Sequence, residues 1–416
     1  MVGQAAPVQG LPGVDEAWSR LVVAVDADGI PRTWHVLDTH AHTSRQPVRT
    51  IVCVHGNPTW SYMWRSVLAT APDDVRVIAI DHLDMGFSER TGTVRRLERR
   101  VADLDSLLSV LVASGPVTLI AHDWGGPIAL GWAVANADRI DAIALLNTAV
   151  HQPENSLPPT VIRLARARSV LTFGTVTTTA FLESTLALCT PRLEADVRRA
   201  YLSPYRSRAR RAAIGDFVAD IPLEADHPSR AYLDSIAEGL DVLSTVPVLL
   251  LWGPGDPVFS DRYLADLAQR LPHAKIHRYE GARHLVIEDA PALIEDLWTW
   301  LSADPQQAPS RVESPAAHVP LWSDLERRAA QTPGSLALSE PYRDSVRHVT
   351  WAALASNVER LARGLLARGV ERGDRVAVLV TPGADLIACV YACWRIGASV
   401  VVTDAGLGAR GIHRAL

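Results

Sequence analysis

The chain is almost without lysine. Lys275 stands alone, and arginine supplies the rest of the 41 lysine and arginine residues. Any chemistry that needs a lysine in the last third of the chain is therefore unavailable. Cysteine is scarce too. Cys53, Cys189, Cys389 and Cys393 are scattered, and no further Cys or His stands near the last pair at ligand spacing, which excludes a zinc site. Residues 1–13 have neither a basic nor an apolar segment of the kind a secretory leader carries. No apolar run approaches the ~18 residues of a membrane span. Free thiols without a leader point to the cytoplasm, with peripheral membrane contact left open. A formal net charge of −5 gives no basic footprint, so nucleic acid is not an expected partner. No metal or cofactor is expected.

What is present suits at least two folded domains: 416 residues, 48% of them apolar. Leu21–Val25 and Thr33–Leu37 read as a hairpin turning at Asp26-Ala27-Asp28-Gly29. Buried strands follow over 49–54, 75–80, 116–120, 140–146, 246–252 and 274–279, separated by helical patterns such as 101–113, 127–135, 262–271 and 292–301. Strands alternating with helices predict a mostly parallel sheet covered on both faces. Residues 151–240 break the alternation. They are helical in pattern, and rich in arginine: Arg163, Arg166, Arg168, Arg198, Arg199, Arg206, Arg208, Arg210 and Arg211. A helical cap over the strand ends is expected there. Its arginines read first as a solvated face, and second as a docking surface for an acidic partner or an anionic membrane. Residues 304–319 read as a linker. A second α/β pattern runs over 320–416.

The most telling stretch is Ala121-His122-Asp123-Trp124-Gly125-Gly126. It joins a strand to a helix through small residues two before and two after its centre, as the tight turn of a nucleophile elbow requires. The apex is Asp, not Ser. A carboxylate is ionised near neutral pH and needs no base to attack carbon. Asp256 and His284 follow at later strand ends, giving the chain order nucleophile, acid, histidine of the α/β-hydrolase triad. Asp123 is the expected nucleophile, His284 the proton carrier, and Asp256 the group that orients the imidazole. The backbone N–H groups of Asn57 and Trp124 are candidates for an oxyanion hole, with the Asn57 amide and Trp124 indole as further donors. A turn role for Asp256, Asn57 or Asp123, and mere packing for Trp124, are the competing readings of each residue alone. His82, His122 and His151 fall near the site and receive no chemical role.

These motifs resemble a known family. His55-Gly56-Asn57-Pro58-Thr59-Trp60-Ser61-Tyr62, His122-Asp123-Trp124-Gly125-Gly126-Pro127, and Asp256-Pro257-Val258 with His284 look like the haloalkane dehalogenase branch of the α/β hydrolases. The resemblance implies an Asp that displaces halide from saturated carbon, Asn and Trp side chains that cradle the leaving anion, and a His that activates water. Some members carry the acid after the sixth strand; Asn147 stands there in this chain, so Asp256 inherits the role. Asp84 occupies a position where the family usually has Gly.

The second part, through His348-Val349-Thr350-Trp351, Gly373-Asp374-Arg375-Val376 and Ile396-Gly397-Ala398-Ser399, resembles the N-terminal edge of an acyl-adenylate-forming ligase. The nucleotide-binding half of that pattern and its lysine are missing, so a truncated, non-adenylating segment is expected. A dehalogenase-like hydrolase ahead of such a ligase resembles the bifunctional proteins of bacterial long-chain olefin biosynthesis. The resemblance implies that this half converts a cis-3,4-dialkyl β-lactone to a cis-olefin and carbon dioxide. Asp123 would attack the saturated carbon or, in the other route, the carbonyl. The expected substrate is a small hydrophobic β-lactone, with pathway enzymes as partners. Hydrolytic dehalogenation with the same residues is the alternative; a non-catalytic docking module is a third, separable by Asp123→Ala.

Overall fold

The computed structural model describes residues 8–43, 46–152, 162, 166, 171–302, 321–342, 345–371, 373–380 and 383–402. The chain divides into two compact units, Met1–Glu313 and Ser314–Leu416. The expected linker, 304–319, lies outside the described residues.

The first unit is built on one eight-stranded sheet: β1 (Ser19–Val25), β2 (Pro31–Asp38), β3 (Arg49–Val54), β4 (Val75–Ile80), β5 (Val117–His122), β6 (Ile140–Leu146), β7 (Val248–Trp252) and β8 (Lys275–Arg278). Their order across the sheet is β1-β2-β4-β3-β5-β6-β7-β8. The β1–β2 hairpin and the β2–β4 pair are antiparallel, and every later pair is parallel. The Asp26 carboxylate closes the hairpin by accepting from the Asp28 and Ile30 N–H groups at 2.9 and 3.0 Å. All six residues of β5 are buried, as the apolar run of a strand covered on both faces requires.

Parallel register brings the chemistry to one edge. Val54 pairs with Ala121, His122 with Leu146, Leu146 with Leu251, and Trp252 with Arg278. The loops holding Asn57, Asp123, Asn147, Asp256 and His284 therefore leave the sheet side by side at its carboxyl edge. The helix after β5 spans Gly125–Ala135 and is apolar all round. It packs on the helix Leu97–Leu111, which begins four residues before the sequence reading placed it and ends at Leu111 rather than Ala113. Its first turn is polar on the outside, so periodicity alone does not show it.

Between β6 and β7 the described residues of 151–240 contain helices and no strand: a π-turn at Thr172–Thr177, then Ala180–Ala187, Ala195–Leu202, Arg208–Ala219 and Arg230–Gly239. Not all of the cap arginines form a solvated face. Arg211 is buried and donates to the Tyr205, Val176 and Thr177 carbonyls at 2.7, 3.0 and 3.0 Å. Arg210 donates to Gly86 O at 2.7 Å. Both tie loops together, because buried carbonyls at helix ends need donors. Arg166 pairs with Glu224 and Arg198 with Glu183. Arg199, Arg206 and Arg208 are exposed. Arg163 and Arg168 lie outside the described residues. Asp84 takes a left-handed φ of 71°. Its carboxylate accepts from the Thr91 N–H at 2.5 Å and the Thr91 hydroxyl at 2.8 Å, which suits a short polar side chain where glycine would otherwise be favoured.

The second unit contains helices Leu321–Gln331, Trp351–Leu366 and Ala384–Arg395, an antiparallel hairpin of β9 (Leu336–Tyr342) and β10 (Ser345–Thr350), and a parallel pair, β11 (Arg375–Val378) and β12 (Ser399–Val402). In the structure Val349 belongs to β10, and the Thr350 side chain caps the helix that follows by accepting from the Ala353 N–H.

Candidate active site

Asp123 sits at the apex of the turn after β5 with φ +52°. That conformation is strained for a residue with a side chain, and its neighbours permit it only because they have none. A Cβ on Gly125 would lie 2.2 Å from the Val54 carbonyl oxygen; on Gly126, 1.9 Å from Thr148 Oγ1; on Gly56, 2.3 Å from Asp123 Oδ1. The Thr148 hydroxyl donates to Asp123 O at 2.6 Å and pins the turn from β6.

The two backbone donors expected to form an oxyanion hole are already engaged by Asp123. The Asn57 N–H donates to Asp123 Oδ1 at 2.7 Å, and the Trp124 N–H favours the ionised carboxylate. In an ester of Asp123 that oxygen becomes the carbonyl oxygen, so the Asn57 N–H would polarise the enzyme ester. The side chains of Asn57 and Trp124 remain. The Asn57 amide makes one long bond, 3.3 Å to Ile214 O, and its oxygen has no partner. The Trp124 ring lines the cavity and packs on Phe217 at 5.6 Å.

His284 Nδ1 and Asp256 Oδ2 are 2.9 Å apart. His284 Nε2 lies 4.0 Å from Asp123 Oδ2, the oxygen left free by Asn57. Asn147 holds the acid: its amide donates to Asp256 Oδ2 at 3.0 Å and to Gly253 O at 2.9 Å, and its oxygen accepts from the Gly253 N–H at 2.8 Å. His122 Nε2 donates to the His284 carbonyl at 2.7 Å. The structure thus brings together Asp123, Asp256, His284, Asn57 and Trp124. It adds Asn147, His122 and Thr148, to which the sequence reading gave no task. Their signal was position alone, since each follows or ends a strand at the carboxyl edge.

The electrostatics follow from burial and pairing. Burial lifts the Asp123 carboxyl to about 6, although His284 and the two N–H donors favour its ionised form. Burial opposes a charge on His284, yet Asp256 and then Asp123 outweigh it and raise the imidazole to about 9. Asp256 is held below its ordinary value, because His284 and backbone donors overcome burial. Burial and the neighbouring His284 depress His122 to about 3, so it stays neutral. At neutral pH the site is an Asp123 carboxylate facing an imidazolium.

Above the pair lies a cavity of about 250 Å³. Its walls include Ile162, Phe181, Leu188, Val218, Ile221 and Leu233 from the cap, with Pro257, Phe259 and Tyr263 opposite. A carboxylate at the floor of an apolar pocket can attack electrophilic carbon in an apolar molecule.

Comparison with known proteins agrees with this architecture. A family described as alpha/beta hydrolase fold matches residues 49–291, and one described as AMP-binding enzyme matches residues 325–416. The first unit is similar to two proteins named cis-3-alkyl-4-alkyloxetan-2-one decarboxylase. That of Shewanella oneidensis is 32% identical, over 58% of this chain and 77% of the relative. That of Xanthomonas campestris pv. campestris is 33% identical, over 58% and 83%. Haloalkane dehalogenase 2 of Mycobacterium tuberculosis is 28% identical, again over 58% and 83%. Among solved structures, the haloalkane dehalogenase DatA of Agrobacterium tumefaciens C58 shares the fold, with a TM-score of 0.60 and 23% identity over 69% of this chain and 99% of that one. The chain therefore belongs to the α/β-hydrolase fold family, haloalkane-dehalogenase-like in its first unit and followed by a segment that the AMP-binding family matches.

Proposed function

We propose that the first unit decarboxylates a long-chain cis-3,4-dialkyl β-lactone to a cis-olefin, with Asp123 as nucleophile. The observation that carries the chemistry is the division of labour within one carboxylate. Oδ1 is held by the Asn57 N–H, and Oδ2 is free beside His284. Two relatives bearing the decarboxylase name, and an AMP-binding segment in the same chain, favour the lactone over a haloalkane.

The bonds balance without a proton. Asp123 Oδ2 attacks the saturated ring carbon and the ring C–O bond breaks, which leaves an ester on Asp123 and a free carboxylate. The Asn57 amide and Trp124 indole stabilise that carboxylate. The bond to the carboxylate carbon then breaks, its electrons form the olefin, and the ester oxygen departs with the pair that held it. Inversion followed by anti elimination takes a cis lactone to a cis olefin. His284, charged by its two carboxylate neighbours, keeps Asp123 ionised and oriented. Dehalogenation, in contrast, ends with water attacking the ester and needs neutral imidazole as base. Purified protein given a cis-β-lactone should release olefin and carbon dioxide in equal amounts. Hydroxy acid as the sole product, or turnover of a brominated alkane alone, would sink the assignment.

A further inference from the structure

Arg100, on the helix Leu97–Leu111, is only 2% exposed. Buried arginines are ordinarily tied to a carboxylate. This one is not. Among the described residues its guanidinium makes no ion pair, and its Nε has no hydrogen-bond partner. The carboxylates around it face other groups. Asp103 is taken by Arg95 at 2.6 Å, Asp84 by Thr91 at 2.5 Å, and Asp220 by Ser229 at 2.6 Å and the Leu97 N–H at 2.9 Å. Asp216 is pushed toward its neutral form by burial. Instead the guanidinium carbon sits over an aromatic ring, 3.5 Å from the Phe217 centroid. Phe217 in turn packs on Trp124 at 5.6 Å and on His82 at 6.0 Å. One aromatic ring therefore separates a buried cation from the indole assigned to the leaving anion. Burial lowers Arg100 only to about 10, which leaves it charged at neutral pH.

We propose that Arg100 is a fixed counter-charge for the anion that forms between Asn57 and Trp124. The inference rests on the reading of those two side chains as an anion site, and applies equally to a carboxylate or a halide. Arg100 does not touch the anion. It acts through the field it maintains in a poorly screened interior, and through Phe217, whose ring it polarises and holds against Trp124. The competing role, simple charge balance for the surrounding aspartates, predicts no effect on anion binding.

The test reads anion affinity without turnover, so it is independent of whether the substrate is a lactone. Bromide, and separately acetate, are titrated against the full chain by tryptophan fluorescence, with Trp124→Phe as the blank. Arg100→Met should weaken both anions on the order of tenfold, and Arg100→Lys should stay within about threefold of the parent. Thermal unfolding establishes that each variant is folded. Should Arg100→Met fail to fold, Arg100→His serves instead: its anion affinity should fall as pH rises and the imidazole loses its charge. A folded Arg100→Met with parental affinity, or an Arg100→His whose pH response matches the parent's, overturns the proposal. Failure of the parent to bind either anion overturns the anion site itself, and the proposal with it.

Discussion

Replacing Asp123 with asparagine should make the protein inactive and more stable at once. The amide has the size of the carboxyl and can still accept from the Asn57 N–H through its oxygen. It has no charge to desolvate. The folded-state value of about 6 lies above the ordinary 3.8, so ionisation is penalised by folding. A rise from 3.8 to about 6 corresponds to about 3 kcal/mol. The sign follows from the raised value: the penalty is absent below about pH 4, grows as pH rises through about 6, and is complete above it. The parent should therefore lose stability over that window relative to Asp123→Asn. For a domain of this size the difference at pH 8 is on the order of 5 °C in Tm, and should vanish near pH 4. Scanning calorimetry of both proteins at pH 4, 6 and 8 measures it, with mass spectrometry to rule out deamidation back to Asp. Olefin formation should fall by roughly 10⁴-fold or more. Equal or lower stability of the variant at pH 8 would refute the electrostatic reasoning. Undiminished product would refute the nucleophile.

Four further outcomes are expected. His284→Gln should slow olefin formation by roughly 10- to 100-fold without accumulating an ester on Asp123, because decarboxylation moves no proton; intact-mass analysis that found a trapped adduct would favour hydrolysis. The rate of olefin formation should fall as pH drops through about 6, where Asp123 becomes protonated, and stay level from there toward 9, where His284 loses its charge; a rate that climbs steadily up to pH 9 would instead mark neutral imidazole as the working form. Gly125→Ala should cost several kcal/mol, on the order of 3 or more, because the new Cβ would meet the Val54 carbonyl oxygen, a backbone atom of β3, at 2.2 Å; urea unfolding midpoints decide it. Asn147→Ala should destabilise by about 2 kcal/mol and lower kcat more than it raises KM, since the lost amide positions Asp256 rather than substrate.

Much of the site was legible because its residues sit where strands end. Asp123, Asp256 and His284 each follow an apolar run, and the small residues around Asp123 announce a turn that tolerates no Cβ. What the sequence did not reveal were partners set by register. Asn147 looks idle until β6 and β7 pair, and only then does its amide bridge Gly253 and Asp256. Arg210 and Arg211 look like a solvated face, and turn inward because loop carbonyls need donors. The Asn57 N–H was legible as a candidate donor, but its partner, Asp123 Oδ1, is supplied only by the fold. The helix expected from Val101 starts four residues earlier, at Leu97, where polar residues blur the period.

The sequence by itself determined the alternation of strand and helix, the carboxylate at the elbow and the order of the triad, because these depend on local pattern and on residue type. Only the tertiary structure decided which oxygen of Asp123 the Asn57 N–H holds, that Asp256 and Asp123 favour a charge on His284, and that an arginine twenty-three residues before the elbow stacks on the phenylalanine that packs against its tryptophan. Those properties depend on distance and on exclusion of water, and neither exists until strands from separate stretches of chain share one sheet edge.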